Sequence, residues 1–138
     1  MQLKNYDEAK HFYLQAVAHS PDSARGYIAL GNLYLTQGSH PEAIAMLEKA
    51  VTIDSTQADA YNSLGVAYAS DGQESRSENC FKQAIRIKQD FFMAYLNLAN
   101  YYRRSNRLGE GRHYLAVANE IQKRLNKKNF LQPIALDT

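Results

Sequence analysis

The chain has 138 residues, a formal net charge of +2 and 45% apolar residues, which bounds it to one domain or one short array of globular composition. So small a charge gives no argument for nucleic acid or an anionic membrane surface, and a single cysteine, Cys80, excludes an internal disulfide framework and a cysteine-based zinc site. No apolar run approaches the ~18 residues of a membrane span. The segment Met1–Lys10 lacks the apolar stretch of a secretory signal, so a cytoplasmic chain is expected, or a periplasmic one if a leader has been removed.

The first predicted helix runs from Asn5 to Ala18, with Asp7 and Glu8 favourable to its dipole and Ala9, Phe12, Tyr13, Ala16 and Val17 at helical spacing. His19-Ser20-Pro21-Asp22 stops it, because proline disfavours helix at the residue before it. A second helix spans Ala24–Thr36, carrying Tyr27, Leu30, Gly31 and Tyr34 on one stripe. Glycine in mid-helix costs up to ~1 kcal/mol against alanine, which makes sense where a neighbouring helix passes too close for a side chain. Gly38 is placed to supply a left-handed turn, and Ser39 with Glu42 has the spacing of a capping box, with Pro41 in the first turn. The third helix then runs to about Ile53, with Ala43, Met46, Leu47 and Ala50 inward.

Two further pairs follow: Asp59–Ser70 with Ser75–Lys88, and Phe92–Ser105 with Leu108–Lys127. Their turns carry Gly72 and then Asn106, the usual non-glycine occupant of that conformation. Gly109 and Gly111 weaken the start of the last helix, whose end gathers Lys123, Arg124, Lys127 and Lys128. Beyond it Phe130, Leu131, Ile134 and Leu136 form an apolar tail, either folded onto the last pair or docked on a neighbouring molecule. The lone Cys80 falls among inward positions and reads as a small buried thiol.

The pairs are copies of one another. Tyr27 returns as Tyr61 and Tyr95, Leu30 as Leu64 and Leu98, and Tyr34 as Tyr68 and Tyr102. Gly31 returns as Gly65 and Ala99, Leu47 as Phe81 and Leu115, Ala50 as Ala84 and Ala118, and Ile53 as Ile87 and Ile121. A period of 34 residues marks a stacked all-α repeat in which each unit is too small to bury its apolar face alone.

These anchors resemble the tetratricopeptide repeat. The best copy has Tyr27, Leu30-Gly31, Tyr34, Ala43, Leu47 and Ala50; the second keeps Tyr61, Leu64-Gly65, Tyr68, Phe81 and Ala84, with Ser77 for the first alanine. The third keeps Tyr95, Leu98, Tyr102, Leu115 and Ala118, with Ala99 and Gly111 for glycine and alanine. Tyr6 to Pro21 matches the second half of such a motif through Ala9, Tyr13, Ala16 and Pro21. The resemblance implies a right-handed superhelical solenoid of antiparallel helix hairpins. Its divisions are a half repeat over 5–21, repeats over 24–57 and 58–91, a divergent repeat over 92–125 with an extended last helix, and a tail over 126–138.

Motifs of chemistry are missing: no Gly-rich phosphate loop, nucleophile elbow, His-Glu-x-x-His or EF-hand loop occurs. His11, His19, His40 and His113 fall at turns or outward positions without metal-ligand spacing, and solvated surface histidine accounts for them. No enzyme activity, cofactor or metal is therefore expected. Six of the ten tyrosines occupy repeat anchors, so core packing explains them better than base stacking.

The family resemblance implies that the first helices of successive pairs line a groove for a peptide or helix of a partner protein. By register it carries Arg25, Ile28, Ala29, Asn32 and Leu35, then Asp59, Asn62, Ser63, Val66 and Ala69, then Met93, Leu96, Asn97, Asn100, Arg103 and Arg104. Asparagines donate and accept, so they suit a partner's backbone while the apolar positions take side chains. The family's clamp for a C-terminal carboxylate is matched only at Asn32; Ile28, Ser63, Met93 and Asn97 depart from it. Ala29 and Ser63 likewise interrupt the asparagine ladder of another branch, leaving Asn97.

A second reading is structural: self-association through Phe12, Tyr13 and Val17 at one end and Phe130, Leu131, Ile134 and Leu136 at the other. The basic set Arg103, Arg104, Arg107, Lys123, Arg124, Lys127 and Lys128 is local in a nearly balanced chain, and nucleic acid is not the expected partner.

Overall fold

The computed structural model describes residues 2–131, with side chains from 5 to 130; Ile134, Leu136 and the side chain of Leu131 lie outside them. Seven helices make up the described residues: α1 Gln2–His19, α2 Ala24–Thr36, α3 His40–Ile53, α4 Ala58–Ser70, α5 Glu74–Ile87, α6 Phe92–Arg104 and α7 Leu108–Leu131. No strand occurs among them. The chain divides into two compact units, 1–89 and 90–138.

In the first unit α2 pairs with α3 and α4 with α5, while α1 packs on α2 and α3 on α4. The mid-helix glycines set these distances. A Cβ on Gly31 would lie 2.5 Å from Leu47 Cγ, and one on Gly65 would lie 2.6 Å from Phe81 Cε1. Leu30, Ala43, Leu47 and Ala50 are fully buried around the first approach. Leu47 joins Leu64, Ala67, Tyr68 and Cys80 in one cluster, with Tyr34, Leu35, Ile44 and Val51 packed against it. Each large apolar member contributes ~1.5–3 kcal/mol on burial, so one hairpin is stabilised largely by the next.

The second unit is the α6–α7 hairpin, with a different filling. Tyr114 stands where the earlier copies have Met46 and Cys80. It stacks on the fully buried Tyr102 at 5.4 Å between centroids, with Tyr95 tilted against it at 6.3 Å. Ala99 replaces the mid-helix glycine, and the small residue has moved to the partner helix: a Cβ on Gly111 would meet the Ala99 carbonyl oxygen at 3.3 Å.

The corners inside the three hairpins are built alike. Gly38, Gly72 and Asn106 take φ of 74°, 80° and 59°, the left-handed region that favours glycine and, next, asparagine. In each, the following N–H donates to the carbonyl of the repeat tyrosine: Ser39 to Tyr34 (2.9 Å), Gln73 to Tyr68 (2.8 Å) and Arg107 to Tyr102 (2.8 Å). These bonds satisfy carbonyls that the helix end would otherwise leave open.

Four sequence expectations are corrected. Ser39 does not cap α3 with its side chain; its carbonyl accepts the Ala43 N–H instead, at 3.0 Å. Helix α1 begins before Asn5, and α7 continues past Lys127, so Phe130 is helical, 90% exposed and not folded onto the last pair. Leu115, expected to be an anchor like Leu47, is 42% exposed. His40 is half-buried, with Nδ1 shielded from solvent and unpartnered, unlike a solvated surface histidine.

Candidate partner-binding cleft

Helix α2 has two sides. Tyr27, Leu30 and Gly31 turn inward, while Arg25, Ile28, Ala29, Asn32 and Thr36 fall on the other side because positions three and four apart share a helix face, and Leu33, largely buried, borders both. That side forms the floor of a cleft of about 610 Å³, walled by Tyr13 of α1 and by Gln57 and Asp59 at the start of α4. The cleft is mixed in character. Ile28, Ala29 and Leu33 offer apolar surface, while Asn32 and Arg25 on one element face Asp59 on another.

Its edge at the α3–α4 connection is tied by hydrogen bonds to Asp54. Asp54 accepts bonds from the Thr56 N–H (3.0 Å), the Thr56 hydroxyl (2.6 Å) and Gln57 Nε2 (2.9 Å). The hydroxyl bond, then the Gln57 bond, holds the Asp54 carboxyl below its ordinary range. On the floor, the Thr36 hydroxyl donates to the Asn32 carbonyl at 3.0 Å, so its side chain lies back on the helix. Cations lie over the faces of two repeat tyrosines, Lys49 over Tyr27 at 5.0 Å and Arg76 over Tyr68 at 5.7 Å.

Of the residues assigned to the groove from register, the cleft brings together Arg25, Ile28, Ala29, Asn32 and Asp59. Leu35 is not among its lining; it packs against the core cluster of Leu47 and Leu64. Asn62, Ser63, Val66 and Ala69 are half-buried along α4. In the second unit Met93 is 47% exposed, Leu96 and Asn97 are half-buried, and Arg104 is exposed. Asn100 and Arg103 line a separate cleft of that unit, about 390 Å³, with Ala99, Leu108, Gly111, Arg112 and Leu115. Register could not foresee Tyr13 or Gln57, since both come from segments outside the repeated first helices.

The residues expected at the first end part company. Val17 packs against the cluster of Ala24, Tyr27, Ala50 and Ala60, and Tyr13 walls the cleft, so only Phe12 of the three turns outward. Cys80 is buried, and burial, then Glu48, pushes its thiol up to about 11. Among the described residues no three His, Cys, Asp or Glu side chains converge as metal ligands, and no helix is long and apolar enough to cross a membrane.

Two tetratricopeptide-repeat models match the chain, one over residues 31–72 and the other over 1–23 and 58–91. The chain belongs to the tetratricopeptide-repeat family. It is 25% identical over 111 residues to anaphase-promoting complex subunit 3 of Schizosaccharomyces pombe, covering 80% of this chain and 16% of that protein. It is 31% identical over 84 residues to human tetratricopeptide repeat protein 7A, covering 61% of this chain and 10% of that one. The chain therefore spans under a fifth of the length of these relatives. Among solved structures, MamA superposes with a TM-score of 0.83 at 26% identity, over 92% of this chain and 74% of MamA. The Cut9–Hcn1 tetramer of the APC/C superposes at 0.79 and 20% identity, over 84% of this chain and 22% of that one, which shows the fold alone. Tetratricopeptide-repeat proteins of this kind are protein-interaction scaffolds.

Proposed function

We propose that this chain is a non-catalytic scaffold that receives a peptide or helix of another protein in the cleft of α1, α2 and α4. The observation that carries the reading is the composition of that cleft. Ile28, Ala29 and Leu33 take apolar side chains, Asn32 meets backbone, and Arg25 and Asp59 set charges of opposite sign on different walls. A peptide with an apolar centre and a charge toward each wall matches it.

The test is selection of displayed random peptides on the purified protein, followed by titration of the winners. Ile28→Asp and Asn32→Ala are expected to weaken binding about tenfold or more, the size of an interface hot spot. Peptides that bind both variants as well as the parent chain would move the site off this cleft.

A further inference from the structure

In the first unit the outer side of the α2–α3 hairpin is apolar and covered. Leu35, Ile44, Leu47 and Val51 meet Leu64, Ala67 and Tyr68 of α4. The positions 68 residues later are Arg103, Arg112, Leu115 and Asn119. Leu115 is kept and is 42% exposed, Leu108 beside it is 50% exposed, and the two arginines stand on the rim of the 390 Å³ cleft. Arg112 leans back on its own helix, its Nε donating to the Leu108 carbonyl at 3.4 Å. Where the first hairpin takes an apolar helix, this one presents an apolar floor between guanidinium groups. Such a site suits a large apolar side chain accompanied by carboxylates.

The outward face of α1 has that chemistry. Asp7, Glu8, His11, Phe12 and Gln15 share one helix face and border a shallow depression. The Phe12 ring is 65% exposed and is steadied edge-on by Tyr13 at 5.7 Å. The two carboxylates lie one turn before it. The wider charge distribution has the same sense: residues 1–89 hold eight Lys and Arg against ten Asp and Glu, and residues 90–138 hold eight against four.

From this complementarity we infer that the cleft of α6 and α7 binds the outward face of α1 from a second copy of the chain, Phe12 entering between Leu108 and Leu115 while Asp7 and Glu8 meet Arg103 and Arg112. The contact is head-to-tail and does not use the cleft of α1, α2 and α4, so the two readings fail separately.

Sedimentation velocity of the full chain from ~1 to ~100 μM, with added salt as a second axis, tests it. Concentration-dependent association that weakens as salt rises is expected. Phe12→Ser, Asp7→Lys/Glu8→Lys and Arg103→Glu/Arg112→Glu should each weaken it about tenfold or more. All these positions are exposed, and an unchanged helical circular dichroism spectrum verifies that each variant folds. Mixing the Asp7→Lys/Glu8→Lys chain with the Arg103→Glu/Arg112→Glu chain should restore association, since each then offers the other a matching pair of surfaces. A parent chain that stays monomeric at ~100 μM overturns the inference. So does association that neither charge reversal disturbs, a mixture that fails to associate, or a monomer whose cleft binds only an acidic peptide from another protein.

Discussion

The α2–α3 and α6–α7 hairpins carry the same anchors at the same spacing and yet are stabilised differently. In the first, Gly31 lets Leu47 press onto the helix backbone, and the next helix closes over the leucine from outside. In the second, Ala99 fills the position of Gly31, Gly111 yields room from the other helix, and a stack of Tyr95, Tyr102 and Tyr114 fills the hairpin from within. Leu115, with no helix closed over it as over Leu47, is left on the surface. A repeat anchor therefore does not have a fixed energetic value. What it contributes depends on what covers it.

Substitution at the paired leucines puts the largest strain on this comparison. Leu47→Ala is expected to cost ~2–5 kcal/mol, because its cavity is enclosed by three helices. Leu115→Ala should cost under ~1 kcal/mol, since a half-exposed side chain loses little on truncation. Urea unfolding of the two variants measures both, and equal costs would dissolve the contrast. Next in size are Gly31→Ala and Gly65→Ala, each expected to cost ~1–3 kcal/mol through the clash with Leu47 or Phe81, less the gain in helix propensity. Gly111→Ala, whose added carbon meets neighbours at 3.3 Å or more, should fall within ~1 kcal/mol of the parent by the same measurement.

A smaller effect, in the α4–α5 hairpin between them, depends on pH. Burial, then the hydrogen bond donated to Glu48, pushes the Tyr68 hydroxyl up to about 12 from its ordinary 10.0. A group that loses its proton less readily when folded stabilises fully below its unfolded value and loses that contribution as pH climbs to the folded one. Stability should therefore fall between pH 10 and about 12, beginning earlier, from 9.0 to about 11, through Cys80. Urea midpoints of Tyr68→Phe measured across this range should decline less steeply than those of the parent chain, and parallel curves would exclude Tyr68 as the cause. The smallest expected effect is that of Ser77→Ala. Its buried hydroxyl donates to the Gly65 carbonyl at 2.7 Å, a bond worth ~1 kcal/mol net.

Most of the fold was legible because it is written three times over. The period assigns Tyr27, Leu30, Gly31 and Leu47 their neighbours without any structure, and the left-handed corners at Gly38, Gly72 and Asn106 follow from residue type. What periodicity cannot show is where a repeated position stops being repeated in its surroundings. Leu115 keeps the spacing of Leu47 but not the covering helix, and Leu35 shares its register with Arg103 while lying in the core. The walls of the cleft were only half legible for a related reason: Tyr13 and Gln57 reach it from a preceding helix and a connection, where no copy exists to compare.

The three identically wired bends have a practical consequence. At Gly38 and Gly72 no other group lies within 4 Å of where a side chain would begin, so these bends face open space even though their backbone is tightly specified. A fluorophore or a short tether grafted at the tip of one would extend into solvent and leave the helices it joins undisturbed. Any replacement must still tolerate the backward twist, and so asparagine, already in place at the third bend, is the natural first choice for the other two.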